Sequence, residues 1–89
     1  MNDYTDDFLD NLHSKCTANH DILNNSNICG CFYCLKIFNP DEIEFWINDP
    51  AGKTALCPYC TIDSVIPESG CGDYELNTDL LKKMNKYWF

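Results

Sequence analysis

Arginine is absent from this 89-residue chain and lysine is scarce: six lysines stand against 14 acidic residues, for a formal net charge of −8. Nucleic-acid binders carry a basic, Arg-rich footprint, so this balance argues against that class. The only clustered lysines, Lys82, Lys83 and Lys86, fall late in an expected helix, where they also complement the helix dipole. A long apolar run is missing too. The longest uncharged stretch, 22–35, is crowded with Asn and turn residues, whereas a membrane span needs about 20 mostly apolar residues. The opening Met1-Asn2-Asp3-Tyr4-Thr5-Asp6-Asp7 has neither the basic nor the apolar region of a secretory leader. The reading is therefore a cytoplasmic chain with no membrane role. Nucleophile triads, phosphate loops and paired carboxylates are also lacking, so no catalytic residue is nominated and no enzyme is expected.

What the chain has in excess is cysteine. Seven is an odd number for a disulfide framework, and a cytosolic compartment keeps thiols reduced. A chain this short buries only about two-thirds of its unfolded surface, so it needs reinforcement, and a metal is one of the usual kinds. Cys31-Phe32-Tyr33-Cys34 and Cys57-Pro58-Tyr59-Cys60 form two C-x-x-C pairs with 22 residues between them. Two intervening residues make a tight turn that aims both sulfurs at one point. Two such turns supply a closed tetrahedral sulfur cage suited to structural zinc, with no position left for a reactive water. The expected ligands are Cys31, Cys34, Cys57 and Cys60 around one Zn2+ per chain, with Cys29 as a possible substitute for Cys31.

Other chemistries compete for these residues. Cys57-Pro58-Tyr59-Cys60 is also the active-site tetrapeptide of glutaredoxins, but a redox C-x-x-C precedes a helix, and Ile62, Val65 and Ile66 read as a strand. A rubredoxin-like iron site is the minor alternative to zinc; there glycine follows each knuckle, and here Leu35 and Thr61 stand instead. The zinc-deaminase pattern fails for want of His-x-Glu. His13, Cys16 and His20 share a helical face and could form a second site with Cys71 or Cys29, although a face packed on the core explains them more simply.

The expected fold is a small α+β zinc-binding domain, zinc-ribbon or rubredoxin-like, spanning 1–89. A helix over 4–23 carries the stripe Leu9, Leu12, Cys16, His20 and Leu23, and residues 1–27 form this helix and its loop. Residues 28–67 hold the knuckles. Within them lie a short strand at 35–38 and a helix over 40–48, started by an Asn39-Pro40-Glu42 cap. Strands at 53–57 and 62–66 form a hairpin tipped by the second knuckle. A C-terminal helix over 78–87, capped by Asn77, closes the segment 68–89. Phe38, Phe45, Trp46, Leu56, Ile66, Leu80, Met84 and Trp88 are the expected core.

Cys29-Gly30-Cys31-Phe32-Tyr33-Cys34, Ala55-Leu56-Cys57-Pro58-Tyr59-Cys60, Ile62-Asp63-Ser64-Val65-Ile66 and the closing Tyr87-Trp88-Phe89 together resemble a group of short bacterial cytoplasmic proteins with zinc-ribbon-like knuckles. The similarity runs from about Asn19 to Phe89. Thr61 departs from the group, where Gly usually follows the second knuckle. The resemblance implies a bacterial cytosolic zinc-ribbon-like protein and no activity. The functional expectation is a protein-interaction or adaptor module that meets a protein partner or a second copy of itself. A nucleic-acid or transcription-associated zinc ribbon is the alternative, and a thiol-redox or iron protein comes third.

Overall fold

A computed structural model describes residues 4–89. Among them the elements run α1 (Asp6–His13), α2 (His20–Asn24), β1 (Cys29–Cys31), β2 (Ile37–Phe38), β3 (Trp46–Asp49), β4 (Gly52–Ala55), β5 (Val65–Pro67) and α3 (Thr78–Trp88), with single 3-10 turns at Ser14–Cys16, Pro40–Glu42 and Glu68–Gly70. The result is a small α+β arrangement with two antiparallel sheets, one ordered β2-β1-β5 and the other a β3-β4 hairpin. No helix among the described residues is long and apolar enough to cross a membrane.

The first helix starts as its sequence dictates and stops early. Thr5 caps it by accepting from the Phe8 N–H, Asp6 and Asp7 sit in the first turn, and Leu9 and Leu12 are buried. The helix expected over 4–23 breaks at Thr17 and Ala18, the latter at φ 51°. Long-range bonds outcompete the local ones there. The buried Asn19 side chain donates to Val65 C=O at 2.9 Å and accepts from Ala55 N–H at 3.0 Å. The Ala18 N–H donates to Thr54 Oγ1 at 2.7 Å. An unpaired buried backbone group costs about 1–3 kcal/mol, which exceeds what further helical turns would gain.

The helix expected over 40–48 is a second departure. Its cap forms: Asn39 N–H donates to Glu42 Oε2 at 2.9 Å and Asp41 N–H to Asn39 Oδ1 at 3.0 Å. It launches only one 3-10 turn, and Ile43 is already extended. β-Branched and aromatic residues from Ile43 to Ile47 favour a pleated surface. The chain therefore reverses at Pro50 and Ala51 and pairs Trp46 with Ala55 and Asp49 with Gly52. The expected hairpin of 53–57 with 62–66 is consequently absent. β4 is taken by β3, while β5 pairs with β1, placing Cys31 opposite Val65 and Gly30 opposite Ile66. Of the short strand expected over 35–38, Ile37–Phe38 form β2, which pairs with the other side of β1.

α3 closes the fold. Asn77 caps it through the Leu80 N–H, and Leu80, Leu81 and Met84 are buried. It lies so close to β1 that a Cβ on Gly30 would stand 3.0 Å from Leu81 Cδ1. Two apolar clusters result. One joins α1 and α3 through Leu9, Leu12, Phe32, Ile66, Leu80 and Met84. The other surrounds the sulfurs with Leu23, Phe38, Ile43, Ala55 and Val65. Of the expected core, Phe38, Ile66, Leu80 and Met84 are buried, and Trp46 and Leu56 are half-buried. Phe45 is 64% exposed and Trp88 38% exposed, because the hairpin turns Phe45 outward and Trp88 ends its helix at the rim.

Candidate metal centre

Four sulfurs converge. Cys31, Cys34, Cys57 and Cys60 bring their Sγ atoms within 4.8 Å of one another, and no other His, Cys, Asp or Glu group among the described residues gathers this way. Cys31 Sγ lies 3.6 Å from Cys60 Sγ, and Cys34 Sγ lies 3.6 Å from Cys57 Sγ. A disulfide would need about 2.05 Å. A tetrahedron with metal–sulfur bonds of about 2.3 Å has edges of about 3.8 Å. The donor set and its spacing therefore fit a thiophilic ion such as zinc. Cys31 and Cys57 are buried, whereas Cys34 and Cys60 are half-exposed.

The two turns that aim these sulfurs share one backbone design. Leu35 N–H donates to Cys31 C=O at 2.8 Å, and Thr61 N–H to Cys57 C=O at 2.9 Å. Cys31 N–H reaches Lys36 C=O at 2.9 Å, and Cys57 N–H reaches Ile62 C=O at 3.0 Å. Closing each turn puts the following residue in the left-handed region, at φ 67° for Leu35 and 66° for Thr61. Glycine takes that conformation freely. Here two side-chain-bearing residues take it at about 1–2 kcal/mol each. Leu35 recovers some of this by packing against the α1–α3 cluster.

Backbone amides also face the sulfurs. Tyr33 N–H points at Cys31 Sγ and Tyr59 N–H at Cys57 Sγ, both at 3.4 Å. Hydrogen bonds of this kind favour the thiolate. Burial by itself would raise Cys31, but the Ser64 hydroxyl and the Cys34 and Tyr33 amides outweigh it and hold that thiol below its ordinary value. Burial raises Cys34 and Cys60, and the neighbouring sulfurs raise them further against the opposing amides of Lys36 and Ile62. Without a cation, four sulfurs this close cannot all ionise.

Cys29 stands apart from the cluster. It is fully buried, its thiol donates to Phe38 C=O at 3.5 Å, and burial together with the nearby Cys57, Glu42 and Cys31 pushes it up to about 12. The structure thus gathers Cys31, and not its substitute, with the other three. The second site sketched by His13, Cys16, His20 and Cys71 is not assembled. The His13 ring stacks on Trp88 with centroids 3.8 Å apart, and the His20 ring meets the edge of Trp46 at 4.8 Å. The Cys71 thiol donates to Pro67 C=O at 3.6 Å, and burial, with Glu68 nearby, pushes it up to about 11. Cys16 lines a cleft of about 260 Å³ with His13, Phe32, Asp63, Ser64 and Trp88, and burial raises its thiol.

Three supporting residues escaped the sequence reading. Asn85 of α3 donates to Phe32 C=O at 2.9 Å and to Tyr33 C=O at 3.2 Å, clamping the interior of the first knuckle. Asn19 ties β4, which enters the second knuckle, to β5, which flanks the first. Ser64 is buried and meets Cys31 Sγ at 3.1 Å. The position of Ser64 next to the β-leaning Val65-Ile66 was the one available signal for it; nothing in the sequence marked the two asparagines. Compared with protein-family models, curated proteins and solved structures, the chain finds no match.

Proposed function

We propose that the four cysteines hold one structural zinc ion in a zinc-ribbon-like centre, and that the chain is a non-enzymatic protein-interaction module. The observation that carries the metal reading is the convergence of four sulfurs on two turns of matching backbone. Cys31, Cys34, Cys57 and Cys60 would hold the ion. When bound, it supplies a cross-link between the turn that leaves β1 and the turn that leaves β4, and its four thiolate ligands leave no position for substrate. The residues after Cys60 lead into β5 rather than a helix, so the second pair lacks the helix N-terminus that activates a redox thiol.

Three aromatic side chains support the interaction reading. Tyr33 and Tyr59, the third residues of the two knuckles, are 49% and 52% exposed, and Phe89 packs edge-on against Tyr33. Together with the acidic charge, they suit a protein partner or a second copy better than a polyanion.

Elemental analysis of the purified chain tests the metal reading. The expected result is one zinc per chain, lost when any of the four cysteines becomes serine and kept in Cys29→Ser, Cys16→Ser and Cys71→Ser. Iron at that stoichiometry would replace zinc in the proposal. Light scattering and capture from the source cell test the module: a strict monomer that retains no protein overturns it.

A further inference from the structure

The four sulfurs differ in what holds them. Amides reach all four, but among the described residues only Cys31 also receives a hydroxyl, that of Ser64 at 3.1 Å. Ser64 is 2% exposed, so that hydroxyl has little access to water. Its backbone is pinned from its carbonyl onward. Ser64 C=O accepts from Phe32 N–H at 3.1 Å, and the next residue, Val65, pairs with Cys31 across β1 and β5. A thiolate has no proton to give, so when Cys31 is ionised the hydroxyl is the donor.

We propose that Ser64 is a positioning residue of the metal centre: its hydroxyl fixes the Cys31 sulfur and draws electron density from it. This rests on the metal reading above. Two consequences follow from the chemistry. A sulfur oriented before the ion arrives binds it more tightly, and groups that orient ligands in this way are worth about 10–100-fold in metal affinity. A sulfur that accepts a strong hydrogen bond also donates less charge to the metal, which raises the energy of its charge-transfer absorption.

Cobalt(II) is the probe, because its thiolate charge-transfer bands report sulfur donation directly. Metal is kept in excess, so that every variant is read in its loaded state. Ser64→Ala is expected to weaken cobalt and zinc binding about tenfold in competition with a chelator, and to shift the charge-transfer band to lower energy. Ser64→Thr keeps the hydroxyl and is expected to restore the band position. An affinity within twofold of wild type together with an unmoved band in Ser64→Ala overturns the proposal, as does a Ser64→Thr chain whose band moves as far as that of Ser64→Ala. A wild-type chain that takes up neither cobalt nor zinc overturns the metal reading, and the role of Ser64 with it.

Discussion

The first knuckle, 31–36, and the second, 57–62, are the same turn in two different settings. Their amide bonds agree to within about 0.1 Å and their left-handed residues to within a degree. Beyond the backbone they diverge. The first leaves the central strand of the three-stranded sheet, is clamped by Asn85 and receives the Ser64 hydroxyl. The second leaves the outlying hairpin and is held at its tip by the exposed Tyr59, whose hydroxyl donates to Glu42 Oε1 at 2.5 Å, with Lys36 Nζ 5.6 Å from its ring. Identical local geometry therefore does not give identical ligands. The first knuckle is built into the α3–β1 core, and the second reaches it through the sulfurs, through Asn19 and, at the surface, through Tyr59 against Lys36 and Phe38.

Removing the metal should separate the two most strongly. A structural zinc contributes on the order of 10 kcal/mol of folding free energy in small domains. Chelation is expected to abolish dispersed amide NMR signals throughout the β3–β4 hairpin and the second knuckle. Residual helicity confined to α1 and α3 would sharpen the comparison, and a fully native spectrum after chelation would break it. The same equilibrium fixes the sign of the pH dependence. Cys34 and Cys60 titrate above the ordinary thiol range in the metal-free chain, so they enter the complex by losing protons. Metal affinity is then lost as pH falls and gained as it rises, and calorimetry in buffers of different ionisation enthalpy should register proton release.

Asn19→Ala comes next. It strips partners from two buried backbone groups at once, at about 1–3 kcal/mol apiece. Urea denaturation of the zinc-loaded chain should show a loss of about 2–5 kcal/mol, and a loss under 1 kcal/mol would mean that Asn19 does not help to join the knuckles. Asn85→Ala should cost about 1–2 kcal/mol by the same measurement, whereas Tyr59→Phe, at the exposed tip, should leave the midpoint where it was. Equal effects would erase the distinction between a built-in knuckle and a tethered one. The smallest contrast is at the left-handed residues. Thr61→Gly should stabilise by about 1 kcal/mol through relief of the strained φ. Leu35→Gly should not, because it also surrenders a side chain packed on the core.

The parts readable beforehand were those set by short spacing. Two C-x-x-C pairs imply two tight turns whatever surrounds them, and the four sulfurs meet. The Asn77 cap and the run of Leu80, Leu81 and Met84 imply the last helix, which forms over Thr78–Trp88. The Asn39 cap was also real, yet a cap only starts a helix, and the residues after it pair better as a strand. The first helix failed at Ala18 for a similar reason. Its apolar stripe continued, but the partners of Asn19 lie 36 and 46 residues away, where periodicity cannot reach.

The sequence by itself determined the two knuckle turns, the residues that cap the helices, the acidic balance and the presence of four thiols able to share one ion. These depend on neighbours within about five positions, over which backbone sterics and short hydrogen bonds act. Only the tertiary structure decided that Cys31 joins the cluster while Cys29 turns to the Phe38 carbonyl, that β4 pairs with β3 and β5 with β1, and that Ser64 and Asn85 support one knuckle and not the other. Cys29 and Cys31 lie two apart on β1 and share a face, so alternation does not separate them. The pairing does, since it sets Cys29 beside Phe38, whose carbonyl takes its thiol, and Cys31 opposite Val65, next to Ser64. Leu81 packed over Gly30 and the two long-range bonds of the buried Asn19 fit this pairing, and no sequence-local rule supplies them.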